Sequence, residues 1–72
     1  MAISIDDLNN WFTYHPPSKD QAIQYQTIRD AAQAFAFVIL QNTPPSADQT
    51  TAIRKLRECV MTANASIACG GK

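Results

Sequence analysis

Two proline pairs, each followed by a serine and then a glutamine three residues on, fix where this chain can and cannot be helical. Pro16-Pro17 precede Ser18-Lys19-Asp20-Gln21, and Pro44-Pro45 precede Ser46-Ala47-Asp48-Gln49. A proline removes a backbone donor, clashes with the preceding turn and pushes the residue before it toward extended backbone. The serine oxygen then accepts from the amide three residues on, while the glutamine reaches back to the serine amide, forming a capping box. The aspartate in each first turn also suits the positive end of the helix dipole. Both tetrads predict helix starts.

A first long helix is expected over about residues 19–41. Tyr25, Ile28, Ala32, Phe35 and Ile39 recur there at three- and four-residue spacing as an apolar seam. A second is expected over about residues 47–69, with the seam Ile53, Leu56, Val60, Ala63 and Ile67 and with Gly70-Gly71 as its stop. The loop between them is short, so the two lie antiparallel. Near the start, Ser4 as cap, Asp6 and Asp7 in the first turn, then Leu8 and Trp11 predict a short helix over about residues 4–12. The chain reads as one all-α domain over residues 1–72, an antiparallel helical hairpin preceded by a short N-terminal helix.

A domain of this size buries only about 60% of the surface its unfolded chain exposes. From Ala31 to Leu40 every residue except Gln33 is apolar, so that stretch is hydrophobic nearly all round. One partner helix covers one stripe, and a helix apolar on every side must be buried on several. The expected remedy is another copy of the chain, that is, a homo-oligomer.

Charge narrows the partners. Lys19, Arg29, Arg54, Lys55, Arg57 and Lys72 balance Asp6, Asp7, Asp20, Asp30, Asp48 and Glu58, for a formal net charge of +0. A nucleic-acid polymer calls for a positive surplus that displaces counterions, so no such polymer is expected. No apolar run approaches the ~18 residues of a membrane span, so no membrane partner is expected. The start lacks the basic segment and apolar core of a secretory signal, which points to the cytosol.

Catalytic and metal chemistry find little footing. Cys59 and Cys69 lie in one expected helix, about 15 Å apart along its axis, too far for a disulfide. One His without a Cys-x-x-Cys makes no zinc site. A serine or threonine nucleophile needs a base, and the sole His stands beside Pro16-Pro17 in a loop. No catalytic residue, cofactor or metal is expected.

The candidate site residues are few. Trp11, Phe12, Tyr14, His15 and Pro16 share the loop before the first long helix. Such rings either pin the hairpin together or offer a stacking platform for a nucleobase, each stacked ring being worth roughly 1–3 kcal/mol. Arg29 is either a surface ion pair with the adjacent Asp30 or a neighbour, or a phosphate ligand. Arg54, Lys55 and Arg57 read most simply as a solvated face. Asn64, between Ala63 and Ala65, is an interface hydrogen-bonder or a ligand contact.

The run Trp11-Phe12-Thr13-Tyr14-His15-Pro16-Pro17, with Asp20-Gln21, Tyr25, Ile28-Arg29, Pro44-Pro45-Ser46, Val60-Met61, Ala63-Asn64-Ala65 and Ile67-Ala68, resembles a phage family of helical hairpins. It is the family of anti-CBASS protein two and Thoeris anti-defence protein one, and the resemblance covers about residues 8–69. It implies a sponge that assembles, typically as a hexamer, in the cytoplasm of the infected bacterial host. Such a sponge traps cyclic oligonucleotide messengers (cyclic dinucleotides or trinucleotides) or cyclic ADP-ribose isomers without cleaving them. By the same resemblance Tyr14 stacks on a base, Arg29 meets phosphate, and His15 and Pro16 are their loop neighbours. Cys69 stands where relatives often carry a basic residue, and Ala31 where trinucleotide binders can carry a hydroxyl. A structural or protein-binding hairpin is the alternative that the apolar first helix also permits.

Overall fold

The computed structural model describes residues 2–72 and contains three helices: α1 (Ile5–Trp11), α2 (Lys19–Asn42) and α3 (Ala47–Ala68). Among the described residues there is no strand. Each helix starts on a serine. In α1 the Asp7 amide donates to Ser4 Oγ at 3.1 Å, and the Ser4 amide donates to Asp7 Oδ2 at 2.9 Å. In α2 the Gln21 amide donates to Ser18 Oγ at 3.1 Å, and the Ser18 amide to Gln21 Oε1 at 3.0 Å. Both are complete capping boxes.

The start of α3 departs from the expected box. Ser46 Oγ accepts from the Gln49 amide at 3.1 Å, but the Gln49 side chain turns back across the loop. Its Nε2 donates to the carbonyl and to the hydroxyl of Thr43, both at 3.1 Å. The last carbonyls of a helix have no intrahelical partner, and the tight turn brings the end of α2 within reach of this amide. Asn42 Nδ2 and Thr43 Oγ1 serve the same end, donating to the carbonyls of Val38 and Ile39 at 2.7 Å each. At the other end of the hairpin, α3 stops in a Schellman turn. The Gly71 amide donates to the Ser66 carbonyl at 2.8 Å and the Gly70 amide to the Ile67 carbonyl at 3.2 Å. Gly70 has φ 66 and Gly71 φ 78, backbone that residues with a Cβ rarely adopt.

The two long helices pack antiparallel. Tyr25, Ile28, Ala32, Ala36 and Ile39 of α2 are half-buried, as are Ile53, Leu56, Val60, Ala63 and Ile67 of α3. Phe35, expected in the seam, is instead 55% exposed. Ala36 takes its place, because alanines at 32 and 36 let α3 approach closely and leave the larger ring on the flank.

No described residue is fully buried. The chain exposes 5878 Å², whereas a compact monomer of 7.9 kDa exposes about 4,400 Å². Its radius of gyration is 15.4 Å, against about 11 Å for a compact domain of this length. Much of the exposed apolar surface lies on the N-terminal segment and on α2. At 100° per residue, Ile23, Ala34, Phe37 and Val38 fall on the side of α2 turned away from α3, and all four are exposed. The helix thus has two apolar faces, and the hairpin uses one. Among the described residues, no helix is long and apolar enough to cross a membrane.

Candidate functional site

The loop between α1 and α2 has no regular secondary structure from Tyr14 to Ser18, is stiffened by Pro16 and Pro17, and is anchored at its start. Asn10, near the end of α1, is the anchor. Its Nδ2 donates to the Cys69 carbonyl at 3.2 Å, and its own carbonyl accepts from His15 Nε2 at 2.6 Å. His15 is half-buried and carries its proton on Nε2 for this bond, because a carbonyl only accepts. Trp11 Nε1 donates to the Lys72 carbonyl at 3.1 Å, and Gln21 Nε2 donates to the Ile67 carbonyl at 3.3 Å. Three side chains, those of Asn10, Trp11 and Gln21, thus tie the beginning of the fold to the end of α3, and His15 is held to Asn10. Trp11 Nε1 and His15 Nε2, on two residues read from sequence as site residues, are committed to this anchoring.

The two remaining rings are free. Phe12 is 85% exposed and Tyr14 80%, and the exposed Pro16 stands two residues beyond Tyr14. A rigid loop presenting an open phenol ring loses little entropy when a flat ligand stacks on it.

Arg29 lies in the middle of α2. Of the alternatives read from sequence, a direct pair with Asp30 is not formed: Arg29 Nη1 donates to Gln26 Oε1 at 3.3 Å, and Gln26 Nε2 donates to Asp30 Oδ1 at 2.7 Å. Neighbours in sequence point about 100° apart on a helix, whereas residues three and four apart are adjacent, so Gln26 meets both. The rest of the Arg29 side chain lines an open groove of about 340 Å³ between α2 and α3. Ala32, Ala36, Leu56 and Val60 form much of its apolar lining, and Arg57 of α3 is a second arginine along it.

Asn64 is half-buried, and its Oδ1 is shielded from solvent without a hydrogen-bond partner among the described residues. An acceptor left in that state costs about 1–3 kcal/mol. The register is set by Gln21 beside Ile67 at one end and Leu40 beside Gln49 at the other, which puts Asn64 level with Tyr25.

The fold therefore gathers Trp11 and His15 at the C-terminal end of α3 and sets Arg29 apart from them. Ten residues of α2, about 15 Å of axis, lie between its start and Arg29, and Tyr14 does not line the Arg29 groove. Sequence reading missed Asn10, whose partner is 59 residues distant. It read Arg57 as part of a solvated face, and Arg57 is exposed, but it also lines the groove. The signal for Arg57 was present, since it stands four after Ile53 and three before Val60, beside the seam. Among the described residues, no group of three or more His, Cys, Asp or Glu is arranged to hold a metal ion, and both cysteines are free thiols.

The model of one protein family, described as Acb2/Tad1, hairpin domain, matches residues 4–68. No curated protein and no solved structure matches the chain.

Proposed function

The chain belongs to the Acb2/Tad1 hairpin-domain family, and from that membership we propose that it is a sponge for cyclic nucleotide immune messengers. It binds cyclic dinucleotides, cyclic trinucleotides or cyclic ADP-ribose isomers in the infected bacterial cell. By holding them uncleaved it silences CBASS or Thoeris signalling. The observation that carries this reading is the family match over residues 4–68.

The geometry supports it in three ways. The open ring of Tyr14 suits a nucleobase and the guanidinium of Arg29 suits a phosphate, and each charged hydrogen bond adds roughly 1.5–3 kcal/mol. These groups are separated within one chain, so a compact ligand meets both when Tyr14 of one copy approaches Arg29 of another. The uncovered apolar face of α2 supplies the drive for that assembly, read here as a homohexamer. Finally, phosphodiester hydrolysis calls for an acid and a base beside the phosphorus or a metal. The one imidazole is instead engaged by the Asn10 carbonyl, and Asp7 is engaged in the α1 cap.

Titration calorimetry against cyclic dinucleotides, cyclic trinucleotides and cyclic ADP-ribose isomers, with duplex DNA as control, tests the proposal. Tight binding of a cyclic nucleotide and none of DNA is the expected result. Binding of neither would leave the second reading, a structural or protein-binding hairpin, which the exposed face of α2 would also explain.

A further inference from the structure

We propose that Arg57 is a second anion-binding residue of this site, and that the groove it shares with Arg29 receives the phosphate-bearing part of the ligand. The proposal rests on the cyclic-nucleotide reading above and adds to it a residue, a place and a mode of binding.

In sequence Arg54, Lys55 and Arg57 form one basic cluster, but a helix turning 100° per residue points them in different directions. Arg57 falls beside the seam that meets α2. Arg29, four residues after the seam residue Tyr25, falls beside the same seam on the other helix. The antiparallel register brings both side chains to one groove. Lys55 does not line it. Along the floor, Ala32 and Ala36 keep α2 thin, so the groove stays open where larger side chains would fill it.

Charge decides the occupant. The lining of the groove includes two arginines, Arg29 and Arg57, and no acid. Two cations beside a low-dielectric wall repel each other, and an anion between them reverses the sign of that interaction. A second copy of the chain is poorly suited to supply the counter-charge. Asp6, Asp7, Asp20 and Asp48 occupy helix first turns, and Asp30 is held by Gln26. The remaining acid, Glu58, shares a shallow depression with Arg54 and Arg57 on the outer side of α3. A small ligand with two or three phosphates and flat rings complements the groove at both levels, with anions for the rims and an apolar ring surface for the floor. Guanidinium also offers a phosphate paired donors in a fixed fork, which an ammonium does not.

The test compares the full chain with Arg57→Ala, Arg57→Lys, Arg29→Ala and Lys55→Ala. Each is titrated with cyclic di-AMP, cyclic di-GMP, cyclic tri-AMP and cyclic ADP-ribose, and each is run by sedimentation velocity. Arg57→Ala is expected to weaken the tightest of these probes at least tenfold with sedimentation unchanged. Arg57→Lys recovers part of the loss, and Lys55→Ala, the same charge change outside the groove, stays within twofold. Arg57→Ala binding like wild type while Arg29→Ala fails would overturn this proposal and leave the sponge reading standing. Equal losses from Arg57→Ala and Lys55→Ala would reduce Arg57 to a diffuse field effect and overturn it too. A changed sedimentation coefficient for Arg57→Ala would make the groove an interface between copies instead. If the wild-type chain takes none of the four probes, both readings fall together.

Discussion

The side-chain amide of Asn10 donates to the main-chain carbonyl of Cys69 at 3.2 Å, joining residues 59 positions apart. With the Trp11 indole on the Lys72 carbonyl, it fastens α1 to the far end of the hairpin. Asn10→Ala is expected to lower stability by about 1 kcal/mol, the worth of one such bond. Trp11→Phe, which keeps a ring and removes the N–H, is expected to cost a similar amount. Urea denaturation followed by circular dichroism measures both, and wild-type midpoints for the pair would show that the latch contributes nothing.

The exposed face of α2 gives the second expectation. The wild-type chain should sediment as an oligomer at micromolar concentration, and Ala34→Arg, which places a charge beside Phe37 and Val38, should shift it to smaller species. A stable wild-type monomer at that concentration contradicts the assembly, and with it a pocket shared between copies.

Tyr14→Ala and Arg29→Ala are each expected to weaken cyclic-nucleotide binding at least tenfold with the oligomer intact. Tenfold is about 1.4 kcal/mol, within reach of one stacking or one charged contact. Calorimetry on the two variants reads this directly, and unchanged affinities in both would remove them from the site.

Asn64 invites a different kind of substitution. Its Oδ1 has no partner among the described residues, so removing it leaves no bond broken within the chain. Asn64→Ala should leave the hairpin at least as stable, because it relieves the roughly 1–3 kcal/mol penalty of the unpaired acceptor, while weakening cyclic-nucleotide binding. A large loss of stability with unchanged affinity would make the residue purely structural.

Ligand held by excess protein should be recovered chemically unchanged. After incubation and denaturation of the protein, chromatography is expected to return intact cyclic nucleotide in full. A linear product growing with time would turn the sponge into a phosphodiesterase.

What the sequence disclosed, it disclosed through local chemistry. Ser4, Ser18 and Ser46 cap their helices with groups three residues away, and Pro16-Pro17 and Pro44-Pro45 act on their immediate neighbours. Helix starts were therefore legible without tertiary knowledge. The seam was legible except where two residues fit one period: Phe35 and Ala36 both follow Ala32 at helical spacing, and only the approach of α3 selects the smaller. Gln49 was misread because its competing acceptor, Thr43, belongs to the preceding helix. For Arg29 the sequence left open an ion pair with Asp30 or a neighbour and a phosphate contact; sequence neighbours diverge on a helix, and Gln26 meets Arg29 and Asp30 both. The chemistry of Tyr14 and Arg29 was visible as residue types, but their separation along α2 depends on the fold. The anchoring by Asn10 depends on a chain end that no local pattern announces.

That no described residue is fully buried has a consequence for how the protein comes apart. The slope of stability against denaturant, like the heat capacity of unfolding, scales with the surface newly exposed when structure is lost. A lone hairpin has little hidden surface to expose, so on its own it would melt gradually, over a wide span of urea. If the chain assembles as proposed, neighbouring copies lend the transition its sharpness, and the breadth of the curve then measures how much interior each chain borrows from them.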